Sequence, residues 1–179
     1  MLAKHRTMFT CAQTVMCNFK KRCVIFILKK NSLLTKNTHL EEDLITAYMN
    51  AEYRVEGFGK PIYIGEHSED ADNILSKNSL TEWAYITAYN PMSRPLEEVE
   101  NVRRNAELRE LVNDYIVIEG EGQDKLKEWA AEKSFFIAGM SLDNAKALAI
   151  KFGQRAIVYG QLKQSASLII TLDHLGNPG

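Results

Sequence analysis

The residues of a type to do chemistry, rather than only to fill a core, gather along one stretch and two outlying points. Residues three and four apart share a helix face, which puts Glu97, Asn101, Arg104 and Leu108 in one row with Glu100 and Asn105 beside it. Asparagine is a weak helix former because its amide competes for backbone hydrogen bonds. Its use next to an arginine implies a polar contact made outside the helix. The Arg104 guanidinium is a planar fork of five donors suited to a carboxylate or phosphate. Asn90, at an Asn-Pro loop upstream of the row, and Gln154, directly after Gly153, add amides able to orient a bound group. Glu100 and Glu132 are the acids placed to serve as a general base, and a strongly raised pKa at either would mark an enzyme. The same residues have a plainer reading. Arg104 would tie to Glu100 one turn back or to Glu132 across the sheet, Asn101 would pin the preceding loop, and Gln154 would bond loop amides.

The remaining candidates are weaker. Glu119 and Glu121 flank Gly120 and have the composition of an acid/base pair, yet solvated loop acids are commoner. Glu66, His67, Glu69, Asp70 and Asp72 would suit a hard divalent cation, but carboxylates at a helix start serve equally as partners of its dipole. No metal site and no cofactor are expected. His174 is assigned no role, and Tyr89 and Tyr159 read as packing aromatics. Cys11, Cys17 and Cys23 recur every six residues without a Cys-x-x-Cys, so zinc is not indicated. No cysteine follows residue 23, which removes thiol nucleophiles from the rest of the chain. Phosphate-binding loops, Gly-x-Ser-x-Gly elbows and His-Glu-x-x-His motifs are absent.

Charge divides the 179 residues unevenly. Residues 1–39 hold eight Lys/Arg and no acid, and read as a flexible basic extension outside the domain. Residues 40–179 carry 14 basic against 23 acidic groups, a net charge of −9, and are expected to form a single domain. Such a body repels phosphate and lacks a basic stripe with interleaved aromatics, so nucleic acid is not an expected partner. No apolar run approaches the roughly 20 residues of a membrane span. Cysteine usage points to a reduced, cytoplasmic setting, and no protein partner is indicated.

The elements that must position these residues alternate. Spacing predicts a helix over 41–49 and a hairpin from 53–56 and 61–64, split by Gly57 and Gly59. Ser68 is placed to cap a short helix with Ile74 and Leu75 inward. The run WAYITAY over 83–89 reads as a central strand covered on both faces, ending at Asn90-Pro91. A long helix is expected over 95–113, with Leu96, Val99, Val102, Ala106, Leu108, Leu111 and Val112 as its apolar positions. Residues 115–118 follow as a strand closed by Gly120 and Gly122, with 123–131 a loop or single helical turn. A buried strand at 134–138, a helix capped by Ser141 and Gly153, and strands at 156–159 and 167–171 complete the chain. Successive strands with no helix between them favour an α+β fold, a mixed and largely antiparallel sheet of six or seven strands carrying three to four helices.

Three segments go beyond generic folding signals: ITAYNPMSRPLEEVENVRRNAELREL (86–111), EWAAEKSFFIAG (128–139) and KALAIKFGQRAIVYG (146–160). Together they resemble an uncharacterised bacterial family, domain-of-unknown-function family 3293. Its sequences look like Thr-Ala-Tyr/Trp-Asn-Pro, Glu-Asn-x-x-Arg-x-x-x-Leu, Glu-x-Ser-Phe and Phe-Gly-Gln-x-Ala-Ile in that order. Here the matches fall on 87–91, 100–108, 132–135 and 152–157. The resemblance spans roughly 42–172 and implies one domain there. It carries no activity, substrate or catalytic residue with it. Two functions stay open. One is a pocket for a small anionic or nucleotide-like ligand where the Asn90 loop, the Asn101/Arg104 row and the Gln154 turn meet. The other is a non-catalytic protein-interaction or structural module in which these residues fix loops.

Overall fold

Residues 83–86 are all buried, as their apolar run predicts. The computed structural model describes residues 37–124, 130–172 and 177–178. The predicted central strand forms as β2 (Glu82–Thr87), numbered after β1 (Ala51–Val55). It is followed by β3 (Ile116–Asp124), β4 (Glu132–Ala138), β5 (Ala156–Gln161) and β6 (Ser167–Ile170). Their order across the sheet is β1-β3-β4-β2-β5-β6, and every pairing is antiparallel. With helices α1 (Asn37–Asn50), α2 (Glu69–Lys77), α3 (Glu98–Leu111) and α4 (Leu142–Lys151), this is the expected α+β class.

Alternation along the strands gives the sheet two apolar faces. Trp83, Tyr85, Phe136, Ala138 and Val158 pack with Ala71 and Leu75 of α2 and with Ile62. Ala84, Ile86, Phe135, Ile137 and Ile157 point the other way, against Leu108, Val112, Ala145, Ala149 and Phe152. The predicted caps are present. Ser68 accepts from the Ala71 N–H, and Ser141 accepts from the Asn144 N–H. Gly153 follows α4 with φ +67°, the left-handed turn that ends a helix most readily at glycine.

Four expectations are corrected. The helix after Pro95 begins at Glu98, and most of its predicted apolar stripe faces outward. Val99 is 79% exposed, and Leu96, Val102, Ala106 and Leu111 are exposed too. Of the predicted positions Leu108 and Val112 do turn inward, and Asn101 and Asn105 join them. The reason is what α3 covers: its inner face meets the end of β2 and the loop after it, where free backbone groups need polar partners. Second, β3 runs through Gly120 and Gly122 rather than stopping there. A Cβ at Gly120 would come within 2.8 Å of the Tyr85 hydroxyl, so the glycine allows a close approach inside a continuous strand. Third, Glu119 and Glu121, read as solvated loop acids, are solvated but lie within β3 rather than a loop, with Glu121 in register with Arg54 on one side and Lys133 on the other. They form no acid/base pair in a cleft. Fourth, the hairpin over 53–64 reduces to the single bridge between Tyr53 and Ile62. Residues 123–124 belong to β3, while 125–129 lie outside the described residues, as do the basic segment up to residue 36 and His174.

Among the described residues no helix is long and apolar enough to cross a membrane.

Candidate functional site

Strand β2 ends at Thr87, and the chain turns at Asn90 with φ 45° and ψ 61°. That left-handed conformation is one asparagine tolerates better than most residues. The turn leaves several backbone groups without strand partners, and the polar row of α3 takes them up. Ala88 N–H donates to Asn105 Oδ1 at 3.2 Å, and Asn90 N–H donates to Asn101 Oδ1 at 2.9 Å. Asn90 Oδ1 in turn accepts from Asn101 Nδ2 at 2.9 Å and from the Leu96 N–H at 3.0 Å. Gln154 donates from Nε2 to the Tyr89 carbonyl at 2.6 Å, and Met92 N–H donates to the Gly153 carbonyl at 2.7 Å. Three distant stretches of sequence thus come together around residues 88–96, and the bonds among them are mutual.

Arg104 belongs to this scaffold. Its Nε donates to the Ala88 carbonyl at 2.9 Å and its Nη2 to the Phe152 carbonyl at 2.6 Å. Its guanidinium carbon lies 5.8 Å from the centre of the Phe152 ring, within cation–π range. The fork therefore ties the loop after β2 to the end of α4. It pairs with neither acid proposed for it. Glu100 is bonded bidentately by Arg103 at 2.9 and 2.7 Å, one turn along the exposed side of α3. That contact holds the Glu100 carboxyl below its usual range. Glu132 sits elsewhere.

Glu132 opens the second feature, a cavity of about 200 Å³ on the Trp83 face of the sheet. Leu44 and Tyr48 of α1 form one side, and Tyr53, Tyr85, Ser134 and Val158 of the strands form its base. Asn90, Glu132 and Gln154 line it, whereas Asn101, Arg104 and Glu100 do not. The site candidates thus divide into three that face the cavity and three that lie behind or away from it. Asn90 joins the two groups, since its Nδ2 donates to Glu132 Oε1 at 2.7 Å. Burial pushes the Glu132 carboxyl pKa up, and the Asn90 bond opposes that shift without cancelling it. Burial likewise raises the Tyr48, Tyr53 and Tyr85 phenols, with Glu132 adding to the rise at Tyr48 and Tyr53.

Sequence reasoning missed Tyr48, Tyr53, Tyr85, Thr87 and Ser134 as cavity residues. A signal exists for two pairs: Tyr85/Thr87 and Glu132/Ser134 stand at i and i+2, putting polar tips on one buried strand face. Tyr48 and Tyr53 carry no such mark. Tyr89 and Tyr159, read as packing aromatics, are buried with their hydroxyls donated to Glu98 and Glu82. The acids around His67 tie loops. Asp72 accepts from the Lys163 N–H at 2.9 Å and contacts His67 Nε2 at 2.7 Å, and Asp70 accepts from the Gly59 N–H at 2.9 Å. Among the described residues no cluster of three or more His, Cys, Asp or Glu side chains could hold a metal ion.

Residues 86–157 match the family described as Protein of unknown function (DUF3293). The matched stretch holds the Asn90 loop, all of α3, Glu132 and Gln154. It leaves out α1 and β1, and with them Tyr48 and Tyr53. No curated protein and no solved structure matches the chain.

Proposed function

We propose that this protein binds a small molecule in the cavity between α1, the Asn90 loop and the Trp83 face of the sheet, with Glu132 as its polar anchor. The observation that carries the reading is a half-buried carboxyl with a raised pKa, held through one oxygen by Asn90 and lining a hollow walled by tyrosines. Perturbed acids in clefts are the usual mark of a working site. Size limits the ligand. A hollow of roughly 150 Å³ holds benzene, while drug-sized pockets run from roughly 300 to 1,000 Å³. The cavity here, about 200 Å³, takes a one-ring molecule and not a whole nucleotide. No lysine or arginine lines it, and Arg104 is engaged by carbonyls. The anionic ligand that the Arg104 fork implied is therefore set aside in favour of a neutral or cationic one.

A second reading is favoured by one observation: Asn101 Nδ2 donates to Asn90 and Leu96, and Arg104 donates to the Ala88 and Phe152 carbonyls, all within the chain itself. On that reading the polar row is loop architecture, and the protein's work lies on a surface. The test is a fragment screen followed by NMR on the full chain, with Ala156→Phe as the cavity-filling control. The pocket reading expects fragments that shift Tyr53, Tyr85 and Glu132 resonances and lose binding in a folded Ala156→Phe variant. Fragments that leave those resonances unmoved, or bind Ala156→Phe equally well, would reject it.

A further inference from the structure

A hydroxyl has one proton to donate and two lone pairs to offer, so the direction of each bond around the cavity decides what a ligand meets there. Tyr53 donates its proton to the Tyr48 carbonyl at 2.8 Å, and Tyr85 donates to the Arg54 carbonyl at 2.9 Å. Thr87 donates to the Lys133 carbonyl at 2.7 Å while accepting from the Tyr89 N–H at 3.0 Å. Ser134 donates to the Glu132 carbonyl at 3.0 Å, and its hydroxyl also lies beside that of Tyr85. All four protons are committed to the protein. What these groups have left are lone pairs. The Glu132 carboxylate, bonded by Asn90 through Oε1 alone, adds the strongest acceptor. On the donor side stand the second N–H of the Asn90 and Gln154 amides and one proton of the Tyr48–Ser93 hydroxyl pair, whose oxygens are 3.1 Å apart.

Resting on the cavity reading above, we propose that the site selects a one-ring ligand whose polar end presents hydrogen-bond donors, of the amidinium or aminated-heterocycle class, seated on the Glu132 carboxylate. A ring suits the walls: Tyr53 and Tyr85 pack edge to face, with ring centres 5.5 Å apart, and Leu44, Tyr48, Val158 and Leu168 add aromatic and aliphatic surface. A donor-only head group satisfies lone pairs that a carboxylate or carbonyl ligand would leave facing other lone pairs, at the cost of unmade bonds. The −9 charge of residues 40–179 attracts any cation in a general way. The selectivity proposed here is local and is distinguished from that attraction by Glu132.

Benzamidinium, benzamide and benzoate test this. They are nearly the same shape and pass from donors only, through both kinds, to acceptors only. Titrated against the full chain by calorimetry, with NMR locating the contact, benzamidinium is expected to bind at least about tenfold tighter than benzoate, with benzamide between; one charge-assisted hydrogen bond is worth about that factor or more. Glu132→Gln keeps an oxygen for Asn90 and is expected to erase most of the preference. Benzoate binding as tightly as benzamidinium at the Tyr53 and Tyr85 resonances would overturn the selectivity and leave the cavity reading intact. An undiminished preference in Glu132→Gln would also overturn it, assigning the effect to overall charge. If none of the three probes moves those resonances, both readings fall.

Discussion

Replacing Asn101 puts the reasoning about α3 at most risk, because this one side chain holds both the backbone and the side chain of Asn90. Asn101 is 3% exposed and makes three hydrogen bonds: it accepts from the Asn90 N–H at 2.9 Å, and it donates to Asn90 Oδ1 at 2.9 Å and to the Leu96 carbonyl at 3.3 Å. A neutral hydrogen bond contributes about 1 kcal/mol net, and an orphaned buried donor costs about 1–3 kcal/mol. Asn101→Ala removes all three bonds and leaves the Asn90 N–H without its acceptor. The long bond to Leu96 is the weakest of the three, and water can enter part of the space. A loss of about 3 kcal/mol is therefore expected, a large share of the 5–15 kcal/mol that stabilises an ordinary domain. Asn101→Asp separates bonding from shape. It retains an acceptor for the Asn90 N–H but turns a second oxygen toward two acceptors. Its folded pKa is then raised, so the variant is least stable at neutral pH and recovers as pH falls through that raised value toward the unfolded carboxyl's. Urea unfolding reads both effects as a shift in midpoint at constant slope. An Asn101→Ala midpoint equivalent to less than about 0.5 kcal/mol, or an Asn101→Asp variant as stable as the parent at pH 7, would refute the claim that this row holds the loop.

Four further outcomes are expected. Arg104→Ala loses two charge-assisted bonds to carbonyls, worth about 1.5–3 kcal/mol each when fully buried; partial exposure of Arg104 reduces the total to about 2–3 kcal/mol by urea unfolding, and ligand binding in the cavity is expected to survive. Gly120→Ala forces a methyl against the Tyr85 hydroxyl and the Arg54 carbonyl, and overpacking of this kind lowers stability by about 1–3 kcal/mol in thermal unfolding. Glu132→Gln is expected to stabilise the fold at pH 7. The Glu132 pKa is raised above its ordinary 4.5, so the folded state binds more protons and parent stability falls as pH rises from 4.5 through the raised value. The advantage of the variant should therefore vanish below about pH 4.5 in a pH series of melts. Val99→Lys with Val102→Glu alters only outward positions, and should shift stability by less than about 0.5 kcal/mol each.

The contrast between Val99 and Asn101 shows where the sequence was legible. Hydrophobic pattern located β2, β4 and α4 because each meets mostly apolar surface, so most of the inward residues are the apolar ones. Caps at Ser68 and Ser141 were legible because a cap is a local bond, made within three residues. Helix α3 defeats the same logic. Its inner face meets a turn whose backbone groups have no strand to pair with, and there an asparagine contributes more than a valine. An observer assigning the buried face by hydrophobicity rotates α3 by about half a turn. The Asn/Arg row is legible because helical spacing puts on one face residue types that a helix does not need.

The cavity was hidden for a different reason. Its walls come from residues 44–53, 85–95, 122–123, 132–134, 154–158 and Leu168, and no two of these segments carry a pattern that points to the others. Only pairing brings them together, since β1 reaches the site through β3, and β4 and β5 reach it from either side of β2. What connects the legible part to the hidden one is Asn90. Asn101 holds its backbone and Oδ1, and this fixes the direction of the Nδ2 that bonds Glu132. An asparagine in a left-handed turn is ordinary loop chemistry, and so is a helical asparagine that satisfies it. In series they aim one amide at a half-buried carboxyl. The two readings of the polar row, as loop architecture and as part of a site, are therefore not alternatives at this position: the rigidity of the first is what makes the second possible.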